Sequence, residues 1–98
     1  MNVERFEVWE FDSDVPYVIL SRQAMNSNLQ TVIVAPIYNQ SSTFYPSRVQ
    51  STFLGAGEIR LDEIRTVNKI GFKKKLGSIR EYEQKAVCQV LAIMFEYD

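Results

Sequence analysis

Arg60 and Asp62 stand two residues apart in the segment Gly57-Glu58-Ile59-Arg60-Leu61-Asp62-Glu63-Ile64-Arg65-Thr66-Val67-Asn68-Lys69, where apolar and charged residues alternate. On a strand that spacing turns both side chains to one face. A guanidinium and a carboxylate on a shared face are the minimum equipment for in-line chemistry on a phosphodiester: one group takes a proton, the other steadies the charge that builds on phosphorus-bound oxygen. The plainer alternative is a same-face ion pair on a solvated sheet, worth about 0–1 kcal/mol. Both readings stand at this level.

Other chemistries are closed off by composition. The chain has no histidine, so neither a Ser-His-Asp nor a Cys-His arrangement can be built within it. With a single cysteine, Cys88, it can form no internal disulfide and offers no zinc donor set. Gly55-Ala56-Gly57 is too short for a phosphate-cradling loop and reads as a turn. The formal charge is −1, so any nucleic-acid contact must come from a local patch and not from a global positive field. Ninety-eight residues, 46% of them hydrophobic, suit one domain (residues 1–98) with one core near the small end for stability, a shortage that a homodimer would relieve. No apolar run of about 18 residues could span a membrane. Glu4, Glu7 and Glu10 interrupt any signal-peptide core, so the expected location is the cytoplasm.

The elements that must position Arg60 and Asp62 are mostly strands. Alternation from Arg5 to Phe11 predicts a strand, Asp12-Ser13-Asp14 a tight turn, and Tyr17 to Leu20 the second arm of a hairpin. Ser21 to Asn28 suits one helical turn capped by Ser21. Thr31 to Ala35 is the most β-prone run, with Pro36 expected to end it. Pro46 to Thr52 and Ile59 to Val67 read as further strands, parted by a glycine turn, and Asn68 to Lys75 as a basic connection. Ser78 with Glu81 three residues on predicts a capping box. The helix it opens runs from Ile79 to Phe95 and is roughly 25 Å long at about 1.5 Å per residue. The whole is mainly β: a small antiparallel sheet or partial barrel with a C-terminal helix.

Candidate binding groups flank this frame. The loop Tyr38 to Tyr45 holds Gln40, Ser41 and Ser42 among aromatics, which suits stacking on single-stranded bases and reading of their edges, or an ordinary hairpin loop. Lys69, Lys73, Lys74 and Lys75 form the strongest basic cluster, fit to neutralise phosphates or simply to solvate a turn. Arg65 suits a phosphate contact or an ion pair with Glu63. On the helix, Val87, Val90, Leu91, Met94 and Phe95 fall at helical spacing and form a stripe for the core or for a dimer interface.

Four phrases in order resemble the MazF/PemK toxins, within the superfamily shared with CcdB. These are Phe-Glu-Val-Trp-Glu-Phe-Asp at Phe6 to Asp12, the stretch from Pro16 to Ile37, Leu-Asp-Glu-Ile-Arg-Thr-Val-Asn-Lys at Leu61 to Lys69, and Lys-Lys-Leu-Gly-Ser at Lys74 to Ser78. The resemblance implies an SH3-like barrel and a homodimer. It further implies the toxin of a type II toxin–antitoxin pair, acting as a metal-independent endoribonuclease on single-stranded RNA, with a cognate antitoxin as partner and no cofactor. In the PemK (Kid) branch an arginine and an aspartate two residues apart serve catalysis. Arg60 and Asp62 match them, with a 2′,3′-cyclic phosphate as the implied product. An aspartate of pKa about 4 is a weak base at neutral pH, so slow turnover is expected. The chain departs from the family pattern at Val15, where an arginine is usual, and at Tyr38, where threonine or serine is usual. The short first hairpin and the ending Ala-Ile-Met-Phe-Glu-Tyr-Asp also resemble CcdB, a poison of DNA gyrase, though Glu96, Tyr97 and Asp98 replace its last contacts. A gyrase poison and an inactive relative are therefore the alternatives.

Overall fold

The structure, a computed structural model, describes residues 2–12, 14–41 and 45–97. Among the described residues, seven strands form antiparallel pairs: β1 (Glu7–Glu10), β2 (Tyr17–Ile19), β3 (Thr31–Tyr38), β4 (Arg48–Ser51), β5 (Gly57–Arg60), β6 (Arg65–Asn68) and β7 (Lys74–Ser78). Helix α1 (Gln23–Asn28) precedes β3, and α2 (Glu81–Met94) closes the chain. The sheet order is β4-β5-β3-β2-β1-β7, with β6 also on β3.

β3 is the hub, and Pro36 lies inside it instead of ending it. The reason is geometric. Ile37 N–H donates to Pro16 and Ile33 C=O accepts from Leu20, so odd positions of β3 face β2. The N–H that Pro36 lacks falls on the other side, between the last pair with β6 (Val34 with Arg65) and the first with β5 (Ile37 with Ile59). A proline is tolerated where no ladder bond is required.

Alternation along the strands builds two apolar faces. Val18, Ala35, Ile37, Val49, Ile59 and Leu61 form one core with Val87 of α2, and every one is at most 5% exposed. Tyr17, Ile19, Val32, Val34, Val67 and Phe72 form a second cluster across the sheet, with Trp9 and Phe11 packed on it. Each such side chain contributes about 1.5–3 kcal/mol on burial.

Four local expectations are corrected. The run from Ile59 to Val67 is two strands broken by a 3-10 turn at Leu61–Glu63, because Leu61 turns into the core at 0% exposure. The basic connection is partly strand, since Lys74 and Lys75 pair with Glu10 and Trp9 of β1. No capping box forms: Ser78 belongs to β7, and Arg80 is the N-cap of α2, without a side-chain cap bond. Glu81 and Glu83 instead place acidic charge in the first turn, where it favours the helix dipole. Likewise Arg22, not Ser21, caps α1; Ser21 Oγ donates to Asn26 Oδ1 (2.5 Å) and accepts from Ile33 N–H.

Among the described residues, no helix is long and apolar enough to cross a membrane.

Candidate functional site

The β4–β5 pair and the turn after it carry the charged cluster. In β5, Ile59 points into the core, so Glu58 and Arg60 must share the opposite face. In β4, inward Val49 sets Arg48 on that same face, directly across from Arg60 in the register. Tyr38, at the end of β3, joins them by the same alternation, opposite Glu58. Leu61 then swings inward, its N–H donating to Ser47 C=O (3.0 Å), and the 3-10 turn brings Asp62 and Glu63 round to the arginines.

Arg48 grips Asp62 side-on, Nε to Oδ1 at 3.3 Å and Nη2 to Oδ2 at 3.4 Å. Its Nη1 reaches Glu58 Oε2 at 3.3 Å. Arg60 donates from Nε to the same Glu58 oxygen at 2.7 Å and from Nη1 to Glu63 at 3.4 Å. Each guanidinium also lies over a tyrosine ring, Arg60 over Tyr38 (3.9 Å to the centroid) and Arg48 over Tyr45 (4.4 Å). Ser47 Oγ donates to Asp62 Oδ1 at 3.0 Å, and Tyr38 OH to Glu63 Oε1 at 3.2 Å. Among the described residues, three carboxylates face two guanidiniums.

Protonation follows these contacts. Partial burial alone would raise the Asp62 carboxyl, but hydrogen bonds from Arg48 and Ser47 outweigh it and hold the group below the ordinary carboxylate range. The Glu58 hydrogen bond holds Arg60 above its already high value, and the Asp62 bond does the same for Arg48. Burial, with the Glu63 carboxylate beside it, raises the Tyr38 phenol. Both guanidiniums are therefore fixed cations, Asp62 is a fixed anion, and Tyr38 stays protonated at neutral pH.

The predicted residues fall unevenly around this cluster. Arg60 and Asp62 both belong to it, but not as neighbours on one strand: among the described residues they share no hydrogen bond, and Arg48, Glu58 and Glu63 link them. One face of the Tyr38 ring is taken by Arg60, so it is a support for the guanidinium as much as a platform for a base. Ser41 Oγ donates to Gln50 (2.9 Å), and Gln40 is exposed beside it. Ser42 lies outside the described residues. Arg65 donates to Tyr17 OH at 3.0 Å, on the face that Val34 and Tyr38 also share.

Lys69 is far from the cluster. It bonds the Asn26 carbonyl, next to the Asn68–Thr31 pair, and the eight residues of β3 put Thr31 about 24 Å from Tyr38 at about 3.4 Å per step. Lys73 pairs with Asp12 at 3.3 Å on the rim of a cleft of about 640 Å³, which Glu10 and Asp14 also line. Of the helix stripe, Val87 is core at 0% exposure, Leu91 and Met94 are half-buried against that core, and Phe95 is 69% exposed.

Arg48, Glu58 and Ser47 were not singled out in the sequence, and Glu63, expected as an ion-pair partner for Arg65, pairs with Arg60 instead. For Glu58 a signal existed, since Glu58, Arg60 and Asp62 repeat every second residue. For Arg48 none did, because its place depends on the pairing register of β4 with β5.

A mainly antiparallel sheet with a C-terminal helix thus carries a guanidinium–carboxylate cluster at the edge that Tyr38, Arg48 and Arg60 share. The profile of the PemK-like, MazF-like toxin of type II toxin–antitoxin systems matches residues 5–95, and the chain belongs to that family. Solved structures share the fold at low identity. An endoribonuclease from a mycobacterial species superposes with a TM-score of 0.87 at 20% identity, covering 100% of this chain and 97% of that one. A mycobacterial endoribonuclease in complex with its cognate antitoxin gives 0.83 at 20% identity, with 98% and 99% covered. A MazE–MazF structure from Deinococcus radiodurans gives 0.84 at 15% identity, with 99% of both covered. No significant match was found among curated protein sequences. The family match favours the MazF/PemK branch over the gyrase-poison alternative.

Proposed function

We propose that this toxin is an endoribonuclease that cuts single-stranded RNA in the cytoplasm, where mRNA is found, and that a cognate antitoxin restrains it. The observation that carries the reading is the convergence of Arg48, Arg60, Asp62 and Glu58 on one face of a chain that belongs to this family. In the step envisaged, Asp62 takes the proton of a ribose 2′-hydroxyl. The oxygen attacks the adjacent phosphorus, and the bond from phosphorus to the 5′-oxygen breaks. The products are a 2′,3′-cyclic phosphate and a 5′-hydroxyl, the leaving oxygen taking its proton from water. Arg60 and Arg48 stabilise the charge on the phosphoryl oxygens; as fixed cations they are poor acids. A carboxylate held below its ordinary range is a weak base, so turnover is slow.

Tyr38, Gln40, Ser41 and Arg65 extend the face along which RNA would lie. Lys73 is a further candidate at its margin, Ser42 is a candidate from the sequence alone, and Lys69, at the far end of β3, is a poor one. A homodimer would cover Phe95, which borders an apolar depression of about 270 Å³ lined by Leu20, Ile33, Ile64 and Leu91. The test is incubation of the protein with a long single-stranded RNA in EDTA beside Asp62→Ala. Discrete cuts ending in cyclic phosphate, absent in the variant, are expected. Intact RNA with the unaltered protein would overturn the reading and direct attention to gyrase supercoiling or to an inactive toxin.

A further inference from the structure

Glu58 is the odd member of the cluster. It is 0% exposed, a place where glutamates are rarely found unless paired. Its partners Arg48 and Arg60 are like charges set directly opposite each other across β4 and β5, an arrangement that repels on its own. A single oxygen, Oε2, takes both Arg48 Nη1 (3.3 Å) and Arg60 Nε (2.7 Å). Stability alone does not call for this, since buried ion clusters can be replaced by packed apolar residues at little or no cost.

What Glu58 does determine is direction. With Nε held by Glu58, Nη1 by Glu63 and one face on Tyr38, the Arg60 guanidinium has one edge left: its Nη2 has no partner among the described residues. Arg48 is held in register beside it through the same oxygen. We propose that Glu58 is a positioning residue that fixes Arg48 and Arg60 as a pair, aiming both at one phosphate of the bound chain. The proposal rests on the ribonuclease reading.

It has a consequence that a merely structural role lacks. Glu58, set between two guanidiniums, is a carboxylate, and it repels the phosphate it helps to orient. Glu58→Gln therefore removes repulsion and loosens the arginines together: binding tightens or holds while the chemical step slows.

The experiment compares the unaltered protein with Glu58→Gln in three readouts. These are kcat on a cleavable RNA, the Kd for the same RNA with a 2′-deoxy block at the cut site, and the side-chain N–H NMR signals of Arg48 and Arg60. Support is a kcat lowered at least tenfold, a Kd unchanged or lower, and loss of the slowly exchanging Nε–H signals. A Kd raised with kcat unchanged, or arginine signals that persist, overturns the proposal. Should Glu58→Gln fail to fold, Glu58→Asp tests the positioning alone, because it keeps the charge but withdraws the carboxylate by one methylene. Its kcat should fall at least tenfold and the arginine signals be lost with Kd unchanged; a kcat left unchanged, or arginine signals left unchanged, overturns the proposal. If the unaltered protein cuts no RNA, the ribonuclease reading falls, and the arginine signals and Kd alone decide whether Glu58 organises the pair.

Discussion

Glu83 of α2 ties the helix to the strand that carries Arg48, and removing its charge is a sharp test of the fold. Its side chain is 1% exposed, and its carboxylate accepts from Ser51 Oγ (2.7 Å), Thr52 N–H (3.0 Å) and Thr52 Oγ1 (2.9 Å). Hydrogen bonds to an ionised group contribute about 1.5–3 kcal/mol each, and bonds to one acceptor do not add in full. Glu83→Ala loses these bonds and leaves a part-buried N–H without its partner, a cost of about 3–5 kcal/mol. A domain of this size holds about 5–15 kcal/mol in all, and each kcal/mol moves Tm by roughly 4–8 °C, so that variant is close to unfolding. Glu83→Gln keeps one acceptor oxygen and costs about 2 kcal/mol, which urea denaturation can measure.

The pH dependence supplies the sign. Burial alone would raise the Glu83 carboxyl, but hydrogen bonds from the Thr52 backbone, Ser51 and the Thr52 side chain reverse this and hold it below its ordinary value. A depressed folded pKa means that the stabilisation is present above the unfolded value, about 4.3, and is lost as pH falls through the folded one. The unaltered protein and Glu83→Gln should thus differ at pH 7 and converge in acid. A difference under about 0.5 kcal/mol at pH 7, or one that stays constant to pH 3, would refute the argument.

Three further outcomes are expected. Because Arg48 and Ser47 hold the Asp62 carboxyl below its ordinary value, the acid-side fall in RNA cutting should lie below the pH at which an unperturbed aspartate titrates; Asp62→Asn should lower the plateau by about 10²–10⁴-fold. A rate that titrates near neutrality would assign the base elsewhere. Phe95→Glu should split a homodimer in sedimentation while leaving Tm of the monomer nearly unchanged, whereas Val87→Ala should lower stability by about 1–3 kcal/mol, since only the second is core. At Gly57 an added Cβ would run into the backbone carbonyl of Tyr38, which cannot swing aside as a side chain could, so Gly57→Ala should part β5 from β3 and lower both stability and cutting. Gly55→Ala meets open space and is opposed only by its φ of +90°, so it should cost less.

The sequence by itself determined the strand-rich class, the terminal helix with Val87 on its inner stripe, the exclusion of histidine chemistry, and Arg60 and Asp62 as candidates. All of these follow from local period and residue type. It misjudged Pro36, because whether a missing N–H matters depends on which neighbour stands beside it. The capping box likewise failed, because Ser78 was claimed by the pairing of β7 with β1.

Only the tertiary structure decided the make-up of the site. Arg48 lies fourteen positions before Asp62 and grips it because β4 and β5 pair in one register. A shift of one residue would turn Arg48 into the core and Val49 outward. Leu61 bends the chain because the core has room for it there, and that bend, not strand alternation, delivers Asp62 to its partner. Period-two patterning is written in neighbouring residues, but the partner across a strand pair is selected by the packing of the whole sheet.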